Sequence, residues 1–321
     1  MPTTNNTPTQ VAATGSIGIL GAGAMGTLFA ARLAHSGTPV TLIDIDEQVL
    51  ASLRSEGARC MTDVGPIRAT VQALRASQLS HGPAMWLVFT KSAHTSSALQ
   101  SIAHLVQPDT RFLSLQNGIG HVDALQAFAA PDRVALGITT WPARLLGAGH
   151  VSSLGQGSIR FMPCNGLLDP PFEQLAQQLN RAGLDCHLDP QVQQAIWEKL
   201  AFNAAFNGIC GVTRCTVDGL ANATGEALIA QVLQEVLAVA HASGVQASSE
   251  RVNASVRNAL ENHLGHQPSM LQDLLAGRKT EVDAIHGAVT RAAEQLGIDV
   301  PVTRSLHQLI SLCEHQPSRP T

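Results

Sequence analysis

The sequence predicts an α/β protein: a Rossmann-type doubly wound parallel sheet domain followed by an all-α C-terminal domain. Three observations carry this expectation. Short apolar runs alternate with helical stretches through the first half of the chain. GAGAMG, residues 21–26, matches G-x-G-x-x-G and stands between a strand-like and a helix-like segment. From Pro190 onward the apolar spacing is helical throughout. A chain of 321 residues suits one large domain or two ordinary ones. The expected division is a disordered N-terminal tail over 1–15, a dinucleotide-binding domain over 16–188 and a helical substrate and catalytic domain over 189–321.

The tail, MPTTNNTPTQVAATG, is polar and lacks the basic and apolar regions of a signal peptide. SIGIL at 16–20 then reads as a strand buried on both faces. In the motif that follows, Gly21 permits the tight turn and Gly23 lets a pyrophosphate approach. Gly26 lets the helix sit close to the strand. Ala22, Ala24 and Met25 complete the loop, and the helix N-terminus offers amides to the phosphates. TLFAARLAHSG continues the helix, and PVTLID at 39–44 is the next strand. Asp44 ends it, about 20 residues on, where the fingerprint expects an acid for the adenosine ribose. A carboxylate there repels a 2′-phosphate, and IDIDEQ offers no Arg to neutralise one, which argues for NADH. An exposed strand-end acid is the alternative.

MWLVFT (85–90) precedes a helical run at 93–106, and RFLSLQ (111–116) precedes a helix at 121–129. Ligands of parallel sheets bind beyond the C-terminal strand ends, where Lys91 and Asn117 lie. Lys91 is either a cofactor contact or a solvated loop lysine. Asn117-Gly118 is either a plain turn or a place where the amide reaches nicotinamide and substrate. Gly-punctuated runs over 133–161 suggest antiparallel strands finishing the sheet. A helix near 170–182 and the strand LDCHL close the domain.

Helices are expected over 190–210, 224–243, 249–263, 270–276, 280–296 and 302–314. Ser269-x-x-Gln272 and Thr280-x-x-Asp283 have capping-box spacing. Within AIWEKLAFNAAFNGICGVTR, Lys199, Asn203 and Asn207 recur every fourth residue and form one polar stripe on a helix apolar elsewhere. Burying such groups without partners costs several kcal/mol. The stripe therefore faces a ligand cleft, or Lys199 snorkels or pairs with a carboxylate while the amides bond neighbouring backbone.

Composition narrows the chemistry. Hydrophobic residues make up 45% and charged residues 14%, with a net charge of −4. No basic run favours nucleic acid, and no stretch reads as a bilayer span. The six cysteines form no CxxC pair, so neither a metal site nor a disulfide framework is expected, and a cytoplasmic setting fits. The chain has no Tyr, which excludes a phenolic proton donor.

Several separated segments together resemble the ketopantoate reductase (2-dehydropantoate 2-reductase) family: ILGAGAMG, FTKSAHTSSAL, LSLQNGIG, GITTWPARLLGAGHVSSLGQGSI, IWEKLAFNAAFNGICGVTR and PSMLQDLLAGRKTEVDAIHG. The resemblance implies a site between a Rossmann-type and a helical domain. It implies NADPH-dependent reduction of a 2-oxo acid, ketopantoate, to (R)-pantoate for pantothenate and coenzyme A synthesis. It makes Lys199 the proton donor. Asn203, Asn207 and Ser269 become substrate ligands, with Ser269 on the carboxylate. Glu281 fixes a hydroxyl and the cofactor side, and Gly21–Gly26, Lys91, Asn117 and Ala143 line the cofactor. Burial should lower the Lys199 pKa, and Glu281 should raise it.

Three positions depart from the family's pattern. Pro268 replaces a serine, Val217 replaces a third substrate Asn, and Ile45 stands where a basic residue reads NADPH. An NADH-dependent D-2-hydroxy-acid dehydrogenase for branched or aromatic 2-oxo acids therefore stays open. So do a non-catalytic dinucleotide sensor and a His acid at His121 or His286. The expected partner is a small 2-oxo acid, on a monomer or homodimer.

Overall fold

A computed structural model describes residues 10–315, which fall into two compact units. One comprises residues up to Gln116 together with His121–Val192. The other comprises Asn117–Gly120 and the chain from Gln193.

In chain order the first unit holds β1 (Gln10–Val11), β2 (Ile17–Leu20), α1 (Ala24–His35), β3 (Val40–Ile43) and α2 (Glu47–Glu56). Next come β4 (Ala58–Thr62), β5 (Gly65–Ala69), β6 (Gln72–Leu74), β7 (Leu79–His81), β8 (Met85–Val88) and α3 (Thr95–Ser101). Then follow β9 (Arg111–Ser114), α4 (His121–Gln126), β10 (Val134–Thr139), β11 (Arg144–Gly147) and β12 (His150–Ser152). It closes with β13 (Ile159–Pro163), α5 (Pro170–Arg181) and β14 (Cys186–Leu188).

Eight strands form the main sheet in the order β14-β13-β10-β9-β8-β2-β3-β6. Every pairing from β6 through β10 is parallel, whereas β13 runs antiparallel to β10. Strand order reverses beside β2, which pairs with β3 on one side and β8 on the other. Such a reversal opens the crevice where doubly wound sheets take ligands. One face is covered by Leu28, Phe29 and Leu33 of α1, Leu50 and Leu53 of α2 and Phe172, Leu175 and Leu179 of α5. Leu99 of α3 and Leu125 of α4 cover the other. Each such side chain, fully withdrawn from water, contributes about 1.5–3 kcal/mol.

Four expectations are corrected here. Within the supposed tail, residues 1–9 lie outside the described residues, but Gln10–Val11 is a strand paired parallel with β7. The run 133–161 only partly finishes the sheet. Strands β11 and β12 join β4 and β5 in a separate four-stranded sheet, ordered β11-β12-β4-β5. The other two corrections concern the helical unit.

That unit contains α6 (Val192–Thr213), α7 (Ala223–Ala242), α8 (Ser249–Asn262), α9 (Ser269–Leu275), a π-helical turn (Asp283–Gly287), α10 (Ala288–Leu296) and α11 (Pro301–Glu314). Its core gathers Trp197, Leu200, Phe206 and Ile209 of α6 with Ile229, Leu233, Val236 and Leu237 of α7 and Ile310 of α11. Helix α7 is long and apolar enough to cross a bilayer, contrary to the sequence expectation. Its buried stripe packs into this core. Glu235 on the same helix accepts the amides of Val302 and Thr303 at 2.9 and 2.8 Å, capping α11.

The capping boxes do not form. Pro268 is the N-cap of α9, Ser269 is its first residue, and Gln272 Nε2 turns back to the Gln267 carbonyl at 2.8 Å. Thr280 Oγ1 accepts from the amide of Val282 at 3.1 Å. Asp283 meanwhile binds His307 Nε2 at 2.9 Å. A short-range turn and a tertiary partner took the place of the local reciprocal bonds.

Candidate active site

The glycine turn joins β2 to α1 as the fingerprint requires. Gly21 has φ +103°, which favours glycine, and a Cβ at Gly26 would lie 1.9 Å from the Gly21 carbonyl oxygen. The space beside Gly23 is open, and α1 begins there with no side-chain cap, so its first amides are available to an anion. This cradle fits the pyrophosphate of a dinucleotide. Ala22 is buried, and Ala24 and Met25 are half-buried against the core.

Asp44 does more than the sequence suggested. Its Oδ2 accepts the Ala22 amide at 2.6 Å, while Oδ1 accepts the amides of Ile45 and Asp46 at 2.7 and 2.9 Å. It therefore ties the glycine turn to the end of β3. A carboxylate offers about four acceptor positions, so capacity for a ribose hydroxyl remains. Ile45 is largely exposed beside it.

Lys91 caps a 3₁₀ turn after β8, and its carbonyl accepts from His94 N at 2.8 Å. Gln116, not singled out from the sequence, bonds the Thr90 carbonyl at 2.6 Å and Thr95 Oγ1 at 2.7 Å, bracing the same loop. An amide at a parallel-strand end was the available signal. Ala143 is half-buried ahead of β11.

The helical unit gathers a second set. Lys199, Asn203 and Asn207 lie along α6, as their spacing required. The Lys199 amine is enclosed by protein while part of the side chain stays accessible. Desolvation lowers its pKa to about 8, and the negative charge of Glu281 pulls the other way. The Glu281 carboxylate accepts from Asn117 Nδ2 at 3.1 Å, which brings two distant loop residues together. A Cβ on Gly118 would lie 2.2 Å from the Ala284 carbonyl oxygen, so glycine is needed for the Asn117 loop to sit against the π-turn.

The two amides of the stripe part company. Asn207 is buried and its Oδ1 accepts from Met270 N at 3.0 Å and Ser269 Oγ at 3.4 Å. It thus supplies the cap that α9 lacks from its own N-cap residue. The Asn203 side chain is half-buried and makes no hydrogen bond to the described residues. Ser269 is exposed, and Val217 is buried with its amide on the His266 carbonyl at 3.0 Å.

The two histidines named as alternative acids are both buried. His121 is buried at the start of α4. His286 is wholly buried and its pKa falls to about 4, first by desolvation. Among the described residues no cluster suits a metal ion.

Comparison with known proteins matches this layout. The model of the family described as "Ketopantoate reductase PanE/ApbA" covers residues 17–166, and its C-terminal counterpart covers 191–314. A 2-dehydropantoate 2-reductase from Lactococcus lactis is 30% identical over 300 residues, spanning 92% of this chain and 96% of that protein. One from Streptococcus pyogenes serotype M6 is 29% identical over 296 residues, 91% and 95% of the two chains. A ternary structure of D-mandelate dehydrogenase with NADH and anilino(oxo)acetate superposes with a TM-score of 0.88 at 29% identity, over 93% of this chain and 98% of that one. The chain therefore belongs to the ketopantoate reductase family of NAD(P)-dependent oxidoreductases, with a nicotinamide dinucleotide as its cofactor.

Proposed function

We propose that this protein reduces a 2-oxo acid at its C2 ketone, with ketopantoate giving (R)-pantoate as the first substrate to test. The observation that carries the reading is the enclosed Lys199 amine, held near pKa 8 by burial against Glu281. The bound reduced nicotinamide supplies the hydride. Lys199 then stabilises the charge that grows on the ketone oxygen and gives it a proton. At neutral pH an amine of this pKa is mostly protonated yet gives up its proton far more readily than an ordinary lysine. Asn203, whose side chain has no hydrogen-bond partner among the described residues, holds a polar group of the substrate, and Ser269 binds the carboxylate beside the N-terminus of α9. Asn207 serves by fixing Ser269 as well as by its remaining donor. Asn117 and Glu281 position the substrate hydroxyl and the nicotinamide side. Gly21–Gly26, Asp44, Lys91 and Ala143 serve the cofactor. Curated relatives named for ketopantoate reduction, alike over nearly their whole length, support the substrate.

A second reading has its own support. Asp44 followed by exposed Ile45 offers no cation to a 2′-phosphate. Buried Val217 removes an amide from the family's substrate set. Both features suit an NADH-dependent D-2-hydroxy-acid dehydrogenase for a bulkier substrate. A steady-state panel of ketopantoate, a branched 2-oxo acid and phenylglyoxylate, each with NADH and NADPH, decides. The first reading expects ketopantoate to have the highest kcat/KM. Faster turnover of the bulkier acids replaces it with the second, and no turnover of any sinks both. NADH is expected to be preferred by at least about tenfold, the effect of roughly 1.4 kcal/mol.

A further inference from the structure

The π-turn Asp283–Gly287 begins just beyond Glu281, and π-turns inside helices often mark functional positions. Its residues reach in two directions. The Ala284 carbonyl accepts from the Ile119 amide at 3.1 Å, which seats the loop carrying Asn117. His286 points the other way, and its Nε2 lies 2.8 Å from the Ala204 carbonyl of α6, one residue beyond Asn203. A carbonyl only accepts, so Nε2 carries the proton. Nδ1 is buried with no hydrogen-bond partner among the described residues. Leaving such an atom unpaired costs about 1–3 kcal/mol, which an apolar side chain in this place would avoid. The ring's polar contribution is therefore the single bond to α6. Helix α6 accommodates it with Gly208, where a Cβ would sit 2.5 Å from Nε2.

We infer that His286 is a positioning residue: by clamping α6 to the π-turn through Ala204, it keeps the Glu281 carboxylate beside the Lys199 amine. Burial leaves the ring neutral, against the opposing pull of its bond to the Ala204 carbonyl. His307 adds a smaller push in the same direction, and His307 itself is paired with Asp283 at 2.9 Å. Thr290 Oγ1 donates to the His286 carbonyl at 3.0 Å and anchors its backbone. The inference builds on Lys199 as the acid of the proposed reaction.

Its test reads that amine directly. Lys91, Lys199 and Lys279 are the lysines of the chain, so [13C]lysine-labelled protein gives few signals to follow in an NMR pH titration. His286→Leu should free Glu281 from the amine and move the Lys199 midpoint below its parent value by about 0.5 unit or more. His286→Gln, which restores a donor, should hold it within about 0.2 unit. Gly208→Ala attacks the same bond from α6 and should act like His286→Leu. It carries the test if the leucine variant does not fold. A Lys199 midpoint unmoved in His286→Leu or Gly208→Ala, or moved as far in His286→Gln, overturns the inference. In turnover, His286→Leu should lower kcat about tenfold with KM for NADH unchanged. Parent protein that reduces no 2-oxo acid refutes the proposed function alone, whereas an unmoved Lys199 refutes this inference alone.

Discussion

Lys199 shows how one side chain acquires a chemistry its free form lacks. An exposed lysine near pKa 10.5 is a poor acid at neutral pH. Desolvation on α6 brings this one to about 8, and Glu281 opposes a further fall. The proton-donating form thus persists below about pH 8. The rate of ketone reduction should be flat at neutral pH and decline above about 8, while oxidation of the 2-hydroxy acid should rise through the same region. Glu281→Gln removes the charge that raises the pKa, so its reduction profile should break at lower pH. Lys199→Ala should lower kcat by about 10²–10⁴-fold, the usual contribution of a positioned acid, with dinucleotide binding retained. Steady-state rates from pH 6 to 10 check all three, and an alanine variant with parental kcat removes the lysine from the reaction. Asn207 had two readings in the sequence, ligand or neighbour's partner. Its cap on α9 favours the second for its oxygen, because Pro268 places no side-chain acceptor at that N-terminus.

Among the elements, the glycine turn was the most legible, since its residue types answer to backbone geometry alone. Gly26→Ala would set a Cβ 1.9 Å from the Gly21 carbonyl and force α1 off β2. NADH affinity, followed by fluorescence titration, should fall by more than about tenfold even in protein that still folds, because the amides of α1 lose their aim. Unchanged affinity would show that the turn does not seat the cofactor. Other elements were less legible. Strands β4 and β5 pair antiparallel, and β4 also pairs with β12, where Val151 stands opposite Cys60. Such long-range pairing leaves no periodic mark along the chain beyond short alternation. The expected helix over 280–296 exists as a π-turn leading into α10. Apolar periodicity reports the helix but not the local change of hydrogen-bond register.

Across the molecule, acid stability should carry the signature of His286. Its folded pKa, about 4, lies below the ordinary value of 6.5, so the folded ring resists protonation that the unfolded chain accepts. This group has no effect above about pH 6.5. As pH falls from 6.5 toward 4, protonation of the unfolded chain progressively destabilises the fold, by up to ~3 kcal/mol. His286→Gln should be less stable than the parent at pH 7.5, and the gap should narrow toward pH 4.5. Urea unfolding of parent and variant at both pH values measures it, and parallel pH dependences would remove His286 from the acid response. Membrane-like α7 belongs to this scale too. Composition alone matched a bilayer span, whereas the folded unit buries its apolar stripe among α6, α10 and α11.

The strand–helix alternation around the glycine turn, the cradle itself and the polar stripe on α6 were determined by the sequence, because backbone geometry and helical period are local properties. The family followed from short segments whose residue types are fixed by chemistry. Only tertiary structure decided which groups meet. Glu281 received the Asn117 amide across 164 positions of chain, Asn207 was drawn into capping α9, and His286 was turned inward onto α6. These contacts depend on where distant segments pack, and packing sets the desolvation and neighbouring charge that tune a lysine. No pattern along the chain encodes those two quantities.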